Sequence, residues 1–424
     1  MGRAKKMYAA TLGCKINQYE TQAITEAWRA GGFESTEQAA EADVILVNSC
    51  AVTAHAVADL RKTVRKLHRE NPEAGIIVTG CAAQVLREEL AELPGVMRVV
   101  PQADKAELLQ PHAETFSISD YPRARAVVMV QDGCSHGCTY CIVPLTRGPS
   151  RSRAVAKILD EAEHLLESGF RELILSGVNL RQFGRDLPGQ PDFWDLLRLM
   201  EQRLAPAFAG RARLRLSSVE PGQLGDKALE TLAVSRLICP HLHLSLQAGD
   251  PGVLRAMGRG HYHPRQAEEF LERLREVWPL FGLGADLLTG FPGETEAQFA
   301  TTLEFCRRLP LSYAHVFPYS SRPGTAAAKM RGKVPVEEKK RRAALLRALV
   351  AEKKAAFLQR LSVEPRLNVL VQDKAGNGVC EFYSSCVFAS PSKLAQPRAM
   401  VAVRPVRVGK GKIWVEPVSK PVEE

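Results

Sequence analysis

Between residues 7 and 101, short apolar runs alternate with longer stretches in which apolar side chains recur every three or four positions. MYAATLG is followed by an amphipathic stretch through Trp28 that stops at Gly31, DVILVNS by a basic helix, and GIIVTG by AAQVLREELAEL. MRVVP and a short helix after Asp104 close the series. Strands alternating with helices predict an α/β domain built on an open parallel sheet covered on both faces. A polar connection, HAETFSISDYPRAR, then separates it from a second series. From residue 126, AVVMVQ, RELILSG, ARLRLSS, HLHLSLQ, LGADLLTG and SYAHVFPYS are six strand candidates with helical segments between them. They predict a partial (β/α)6 barrel, short of the eight strands of a closed one and so open at one side to a bulky substrate. Beyond a charged helix at about 337 to 361, LNVLVQ, AMVAVRPVRVG and KIWVEPV predict a small all-β domain. The expected domains are residues 1–115, 120–360 and 361–424.

Composition narrows the class without changing this picture. The chain of 424 residues is 45% apolar and 25% charged, the proportions of a globular rather than a fibrous or disordered protein. MGRAKKMYAATLGCK has no apolar run of secretory type, and the most apolar stretch, VWPLFGLGADLLTGF, is interrupted by Pro279, its glycines and Asp286. A cytoplasmic protein without a membrane partner is expected. In that reducing compartment ten cysteines point to metal binding, catalysis or burial rather than to disulfides. A net charge of +10, with basic clusters RKTVRKLHRE at 61–70 and EEKKRRAALLRALVAEKK at 337–354, suits a polyanionic partner, although such helices are equally often solvated faces.

Six of the cysteines form two sets of three. In DGCSHGCTYCIVP, Cys134, Cys138 and Cys141 follow a strand at the spacing C-x3-C-x2-C. Thiolates suit zinc or an iron-sulfur cluster. Zinc in a structural site wants a fourth ligand, for which His136 is available. A redox pair in CTYC would leave Cys134 unexplained. The second set is Cys14 in TLGCKINQYE, Cys50 in VNSCAVT and Cys81 in VTGCAAQ, each just beyond a predicted strand. In an open α/β sheet, ligands collect outside the carboxyl ends of the strands, so these three are expected to converge, unless they are three small buried residues. Cys239, Cys306, Cys380 and Cys386 read as structural.

The first set, with Tyr140 before its last cysteine and barrel-like units after it, resembles the radical S-adenosylmethionine (SAM) superfamily. Taken with Cys14, Cys50 and Cys81, the segments resemble the methylthiotransferases among those enzymes over nearly the whole chain. TLGCKINQYE is similar to the branch acting on threonylcarbamoyladenosine beside the tRNA anticodon, rather than the isopentenyladenosine or ribosomal-protein branches. The resemblance implies two [4Fe-4S] clusters, each on three cysteines with one open iron, the first binding SAM and the second presenting a sulfur. It implies SAM as methyl donor and radical source, a tRNA anticodon stem-loop as partner, a C-terminal TRAM domain that binds RNA, and an electron donor such as flavodoxin or ferredoxin. A metal-containing RNA-binding protein without enzymatic activity would share the charge and the β tail.

The resemblance also nominates SAM contacts. Gly177 in LSGVN lets backbone approach the cofactor or merely turns strand into helix. Ser218 in LSSVE, with Ser245 and Gln247 in LSLQAGD, offers polar groups for ribose or carboxylate. Gly290, Pro292 and Gly293 suggest a shaped turn under the adenine or a helix entry. Arg147 and Arg151, expected near the barrel mouth, would contact phosphate or the SAM carboxylate, or be solvated. Phe382 and Tyr383 would stack on bases, or pack.

Overall fold

The computed structural model describes residues 3–418; residues 1, 2 and 419–424, at the outer ends of the first and third expected domains, lie outside the described residues. The chain packs as two compact units, each drawn from separate stretches of sequence: 1–120, 131–153 and 320–329 form the first, and 121–130, 154–319 and 330–424 the second.

The first unit contains a parallel sheet of β1 (Lys6–Thr11), β2 (Glu34–Ser35), β3 (Val44–Ser49), β4 (Gly75–Gly80) and β5 (Val96–Pro101), in the order β2-β1-β3-β4-β5. Helices α1 (Lys15–Ala30), α2 (Ala54–Glu70), α3 (Cys81–Val85) and α4 (Arg87–Ala91) connect the strands. Because both faces are covered, β3 and β4 are continuous apolar runs rather than alternating ones. Ile45, Val47, Ile76 and Val78 share a core with Leu60, Val64 and Leu67 of α2. Burying each such side chain contributes about 1.5–3 kcal/mol. Thr53 caps α2 by accepting from the Ala56 N–H at 3.1 Å. The basic run 61–70 lies on this helix, with Lys62, Arg65, Lys66 and Arg69 on its exposed side.

In the second unit, β6 (Ala126–Asp132, of which 126–130 belong here), β8 (Glu172–Gly177) and β9 (Arg213–Leu216) are neighbours in that order; β7 (Arg151–Ser152) belongs to the first unit. A second sheet runs β10 (Ser218–Val219), β11 (His241–Gln247), β12 (Gly282–Thr289), β13 (Tyr313–Pro318), all parallel. The expected strand ARLRLSS is divided at Ser217: Leu216 pairs with Leu175 on one side, Ser218 with His243 on the other. The strand changes partners at that residue, and six predicted strands become two sheets. Along β11, Leu242, Leu244 and Leu246 are fully buried, and the alternate positions carry His241, His243, Ser245 and Gln247. Helices α6 (Val155–Glu167), α7 (Phe193–Phe208), α8 (Asp226–Val234), α9 (Pro251–Ala256), α10 (Pro264–Val277) and α11 (Glu296–Arg308) lie between strands.

After the long helix α12 (Val336–Leu361), β14 (Leu367–Val371), β15 (Asn377–Cys380), β16 (Ser385–Phe388), β17 (Met400–Gly409) and β18 (Lys412–Pro417) close a small barrel in the order β14-β15-β16-β18-β17. Its core includes Leu367, Val369, Val403, Ile413 and Val415, with the buried Cys380 and Cys386. The tight link between β15 and β16 packs on the first residues of the parallel strands. Tyr383, at φ +63°, lies 4.7 Å from the His241 ring and 5.3 Å from that of Tyr313. The Phe382 carbonyl occupies the space a side chain at Gly282 would need.

A buried charge cluster fixes that contact. Glu172, with no exposed side-chain surface, accepts from Arg213 Nε at 2.6 Å and Arg215 Nε at 2.7 Å. The same guanidinium groups donate to the carbonyls of Asn368, Val379, Cys380 and Glu381 at 2.7–3.1 Å. Burial disfavours the Glu172 carboxylate, but the arginine charges outweigh it and hold its pKa far below the usual range. Glu172→Gln removes the carboxylate from two buried cations and is expected to cost about 3–5 kcal/mol. Urea unfolding of the variant checks this; a loss below about 1 kcal/mol contradicts a structural role for the cluster.

Candidate functional site

The sheet order places β1, β3 and β4 side by side, so the residues that follow them emerge at neighbouring strand ends. Cys14 is the N-cap of α1 and is exposed; Cys50 follows β3 and is buried; Cys81 opens α3 and is buried. Ser49 and Gly80 are register partners, so Cys50 and Cys81 leave the sheet at one level. Two glycines permit the approach. Gly13 has φ +128°, and a Cβ there would lie 2.7 Å from that of Cys50. Gly80 has φ +98°, and a side chain there would strike the Ser49 carbonyl and the Asn48 amide oxygen.

Burial lifts the Cys50 thiol to about 11 and raises that of Cys81, with the charges of Arg147 and Lys105 opposing the shift at Cys81. Such thiols are weak nucleophiles but form a soft donor set, deprotonated when a metal supplies the compensating charge. Three thiols at three adjacent strand ends fit a cluster held by three cysteines.

Beneath them lies a floor of polar groups of which the sequence reading singled out only Arg147. The Cys14 thiol donates to Asn17 Oδ1 at 3.2 Å, and Asn17 Nδ2 donates to the Ser49 carbonyl at 2.8 Å. Lys105 Nζ donates to Glu20 at 2.6 Å and to Asn48 Oδ1 at 3.2 Å. Arg147, at the end of α5 (Val143–Arg147), donates to Glu20 at 3.0 Å, to Asp132 at 2.6 Å and to Asn17 Oδ1 at 2.6 Å. Its side chain is 2% exposed. Arg147 is therefore neither solvated nor placed to receive a phosphate, both of which the sequence had allowed; its charge is committed to two carboxylates. Arg151 remains exposed on β7. Burial works against ionisation of Glu20, yet Arg147 and Lys105 hold its carboxyl down at about 2. A signal for this floor does exist in the sequence: Asn17, Glu20 and Thr21 are polar residues on the face of α1 that also buries Ile16 and Ile24.

Asp132 and Arg147 bracket the first set, so their ion pair closes the loop that carries Cys134, Cys138 and Cys141. Cys134 is buried and the other two half-buried. The Cys134 N–H donates to the Gly148 carbonyl at 3.0 Å, that of Cys141 to Cys138 at 3.1 Å, and that of His136 to the Cys134 sulfur at 3.4 Å. Tyr140 is half-buried in the same loop, and the Ala327 N–H donates to the Thr139 carbonyl at 2.8 Å.

The remaining nominated residues lie in the second unit. Gly177 ends β8, and Ser218 opens β10, exposed. Ser245 donates to the Val219 carbonyl at 3.4 Å, joining β11 to β10. Gln247 ends β11 with φ +65°, beyond a register shift. Behind this strand Arg259 donates to the Ser245 carbonyl at 2.5 Å and to both carboxylate oxygens of the buried Glu220 at 2.8 Å. Gly290, at φ +70°, donates its N–H to Glu294 at 2.7 Å in a turn where a side chain would meet Lys339. Phe382 and Tyr383 are half-buried and pack against the core of the second unit. Cys239, Cys306, Cys380 and Cys386 are buried.

Residues 6–101 match Uncharacterized protein family UPF0004, and residues 128–306 match the Radical SAM superfamily. The chain is 35% identical to Threonylcarbamoyladenosine tRNA methylthiotransferase MtaB of Rickettsia prowazekii, over 80% of this chain and 81% of that one. It is also 35% identical to tRNA-2-methylthio-N(6)-dimethylallyladenosine synthase of Carboxydothermus hydrogenoformans, again over 80% and 81%. Among solved structures, the radical S-adenosylmethionine methyltransferase TsrM from Kitasatospora setae, with cobalamin and a [4Fe-4S] cluster bound, has a TM-score of 0.58 at 15% identity and covers 77% of each chain, a likeness of fold. No described helix is long and apolar enough to cross a membrane. With relatives at this identity along four-fifths of its length, the chain belongs to the radical SAM methylthiotransferases, enzymes that use [4Fe-4S] clusters and S-adenosylmethionine.

Proposed function

We propose that this chain is a cytoplasmic enzyme that inserts a methylthio group at C2 of N6-threonylcarbamoyladenosine beside the anticodon of tRNA. The observation that carries the reading is that both cysteine sets belong to one compact unit, joined by the buried contacts of Arg147 with Asn17, Glu20 and Asp132. Cys134, Cys138 and Cys141 would hold one [4Fe-4S] cluster, and Cys14, Cys50 and Cys81 the other. Bound there, the clusters would supply one electron for reductive cleavage of SAM to methionine and the 5′-deoxyadenosyl radical, and the sulfur of the methylthio group. An adenine C2–H bond is unactivated and offers no acidity to a side-chain base, which is why the reaction class needs a radical.

The chain's own groups bind and orient. Arg147, Asn17 and Glu20 fix the loop of the first set against the helix that starts at Cys14. Tyr140, Gly177, Ser218, Ser245 and Gln247 are the proposed SAM contacts, with Arg259 holding the Ser245 backbone in place. The reading assigns cluster, barrel and RNA-binding roles to residues 1–115, 120–360 and 361–424. The target base must leave its stack, as single-stranded RNA permits. A flavodoxin or ferredoxin is the proposed reductant. The choice of threonylcarbamoyladenosine follows TLGCKINQYE around Cys14 and the name of the Rickettsia relative.

Three outcomes test the proposal. After anaerobic reconstitution, Cys50→Ala is expected to lose about half its iron and all methylthiolation while still cleaving SAM, whereas Cys134→Ala loses both activities; full activity in either would sink the two-cluster assignment. Arg147→Lys loses the fork that reaches Asn17, Glu20 and Asp132 together, and should depress SAM cleavage and methylthiolation alike, by roughly tenfold or more. Mass spectrometry of tRNA nucleosides from a deletion strain should show threonylcarbamoyladenosine without its methylthio group; loss from isopentenyladenosine instead would transfer the chain to the other branch.

A further inference from the structure

A second group of metal-ligating side chains lies in the second unit, on strands that the cysteines do not touch. His243 on β11, Asp286 on β12 and His315 on β13 occupy three neighbouring strands, and one ligand atom from each lies within 4.8 Å of the others. His243 Nε2 is 3.1 Å from Asp286 Oδ1. Two ligands held 2.0–2.1 Å from one tetrahedral ion stand about 3.3 Å apart, so this pair already has the spacing of a shared metal. Asp286 and His315 are register partners, and the two imidazole centroids are 5.3 Å apart.

The surroundings prepare the donors. The other nitrogen of His243, Nδ1, is 2.9 Å from the Tyr313 hydroxyl, which in turn is 2.9 Å from His241 Nε2. A ligating histidine engages its second nitrogen in just this way, which fixes the tautomer and the ring plane. Gly284 leaves the room required: a side chain there would collide with His243 Nδ1 and Tyr313. His243 is buried, Asp286 is partly buried and His315 is exposed on β13, the edge strand, so the group has a rigid inner side and an access route from solvent.

We propose that His243, Asp286 and His315 bind a borderline divalent cation, zinc(II) or iron(II). Two imidazoles and one carboxylate suit those ions over magnesium or calcium, which prefer all-oxygen shells. Three protein ligands leave one tetrahedral position for water or a substrate atom. The site tethers the edge strand to its two neighbours, two residues along β11 from Ser245.

The probe is zinc(II). Holoenzyme carrying its iron is dialysed against zinc and then against metal-free buffer, and zinc and iron are counted together by mass spectrometry. Wild type is expected to retain about one zinc per chain with its iron unchanged, and zinc should raise its unfolding temperature. His315→Ala, altered at an exposed residue, should keep its iron and its zinc-free unfolding temperature but retain at most about a tenth of the zinc; Asp286→Asn should behave likewise. Wild type that retains no zinc, zinc retained equally by His315→Ala, or zinc gained only as iron is lost each overturns the site.

Discussion

Arg147 brings a positive charge into a place almost without solvent and spends all of it on two carboxylates contributed by distant parts of the chain. Glu20 lies on the helix that begins at Cys14, and Asp132 immediately precedes the loop of Cys134. One guanidinium, planar and with several fixed donors, can reach both carboxylates and Asn17 at once; an ammonium would satisfy them only in turn. Replacing such a buried network with apolar groups commonly raises stability, so stability alone does not account for it. What the network provides is register. Helix α1 and the loop at 132–147 can meet in one way only if Glu20 is to remain paired with Arg147, and Cys14 on the one and Cys134, Cys138 and Cys141 on the other take their positions from those two segments.

Much of this architecture is legible in the sequence because it rests on local periodicity. The four longer strands of the N-terminal sheet, three strands of the small C-terminal barrel and the six apolar runs of the second series stand out from their flanking helices. The three cysteines at strand ends follow from the same alternation, because a parallel sheet directs the ends of its strands to one edge. Arg147 was not legible in this way. Its partner Glu20 is 127 residues away, and an arginine in TRGPSRSR carries the local signature of an exposed loop. The strands β15 and β16 were missed for a different reason: four residues each, with glycine, cysteine and serine among them, are too short to show an alternation. They are held by closure of the barrel instead.

The division at Ser217 shows how one residue reorganises a sheet. Arg213 to Leu216 pair with β8, and the chain then turns its hydrogen bonds toward β11. The first half of this strand carries Arg213 and Arg215, the second half Ser218, so a single strand connects the buried Glu172 cluster to the end where the proposed SAM contacts lie. The polar residues of β11 follow the same logic. His241 and His243 occupy its first half and Ser245 and Gln247 its second, while every alternate residue is a buried leucine. A strand of period 2 can thus carry packing on one face and chemistry on the other without compromising either.

The link between Arg215 and the β15–β16 turn bears on how RNA would be presented. Within the second unit, the small barrel is not suspended from a flexible tether: Arg213 and Arg215 donate to four of its backbone carbonyls, and Tyr383 fills the space beside His241 and Tyr313. Each of those carbonyls would otherwise be buried near a low-dielectric wall, so parting the surfaces would leave both the carbonyls and the Glu172 cluster to be solvated anew. If the barrel binds RNA, its distance from the strand ends is then set by strand length. From Arg213 to Ser218 that distance is about 17 Å at 3.3 Å per residue. With RNA bound to the small barrel, a rigid spacing of this kind would select nucleotides by their distance from the bound stem before any base edge is read, and that discrimination would require no base-specific contact in the small barrel itself.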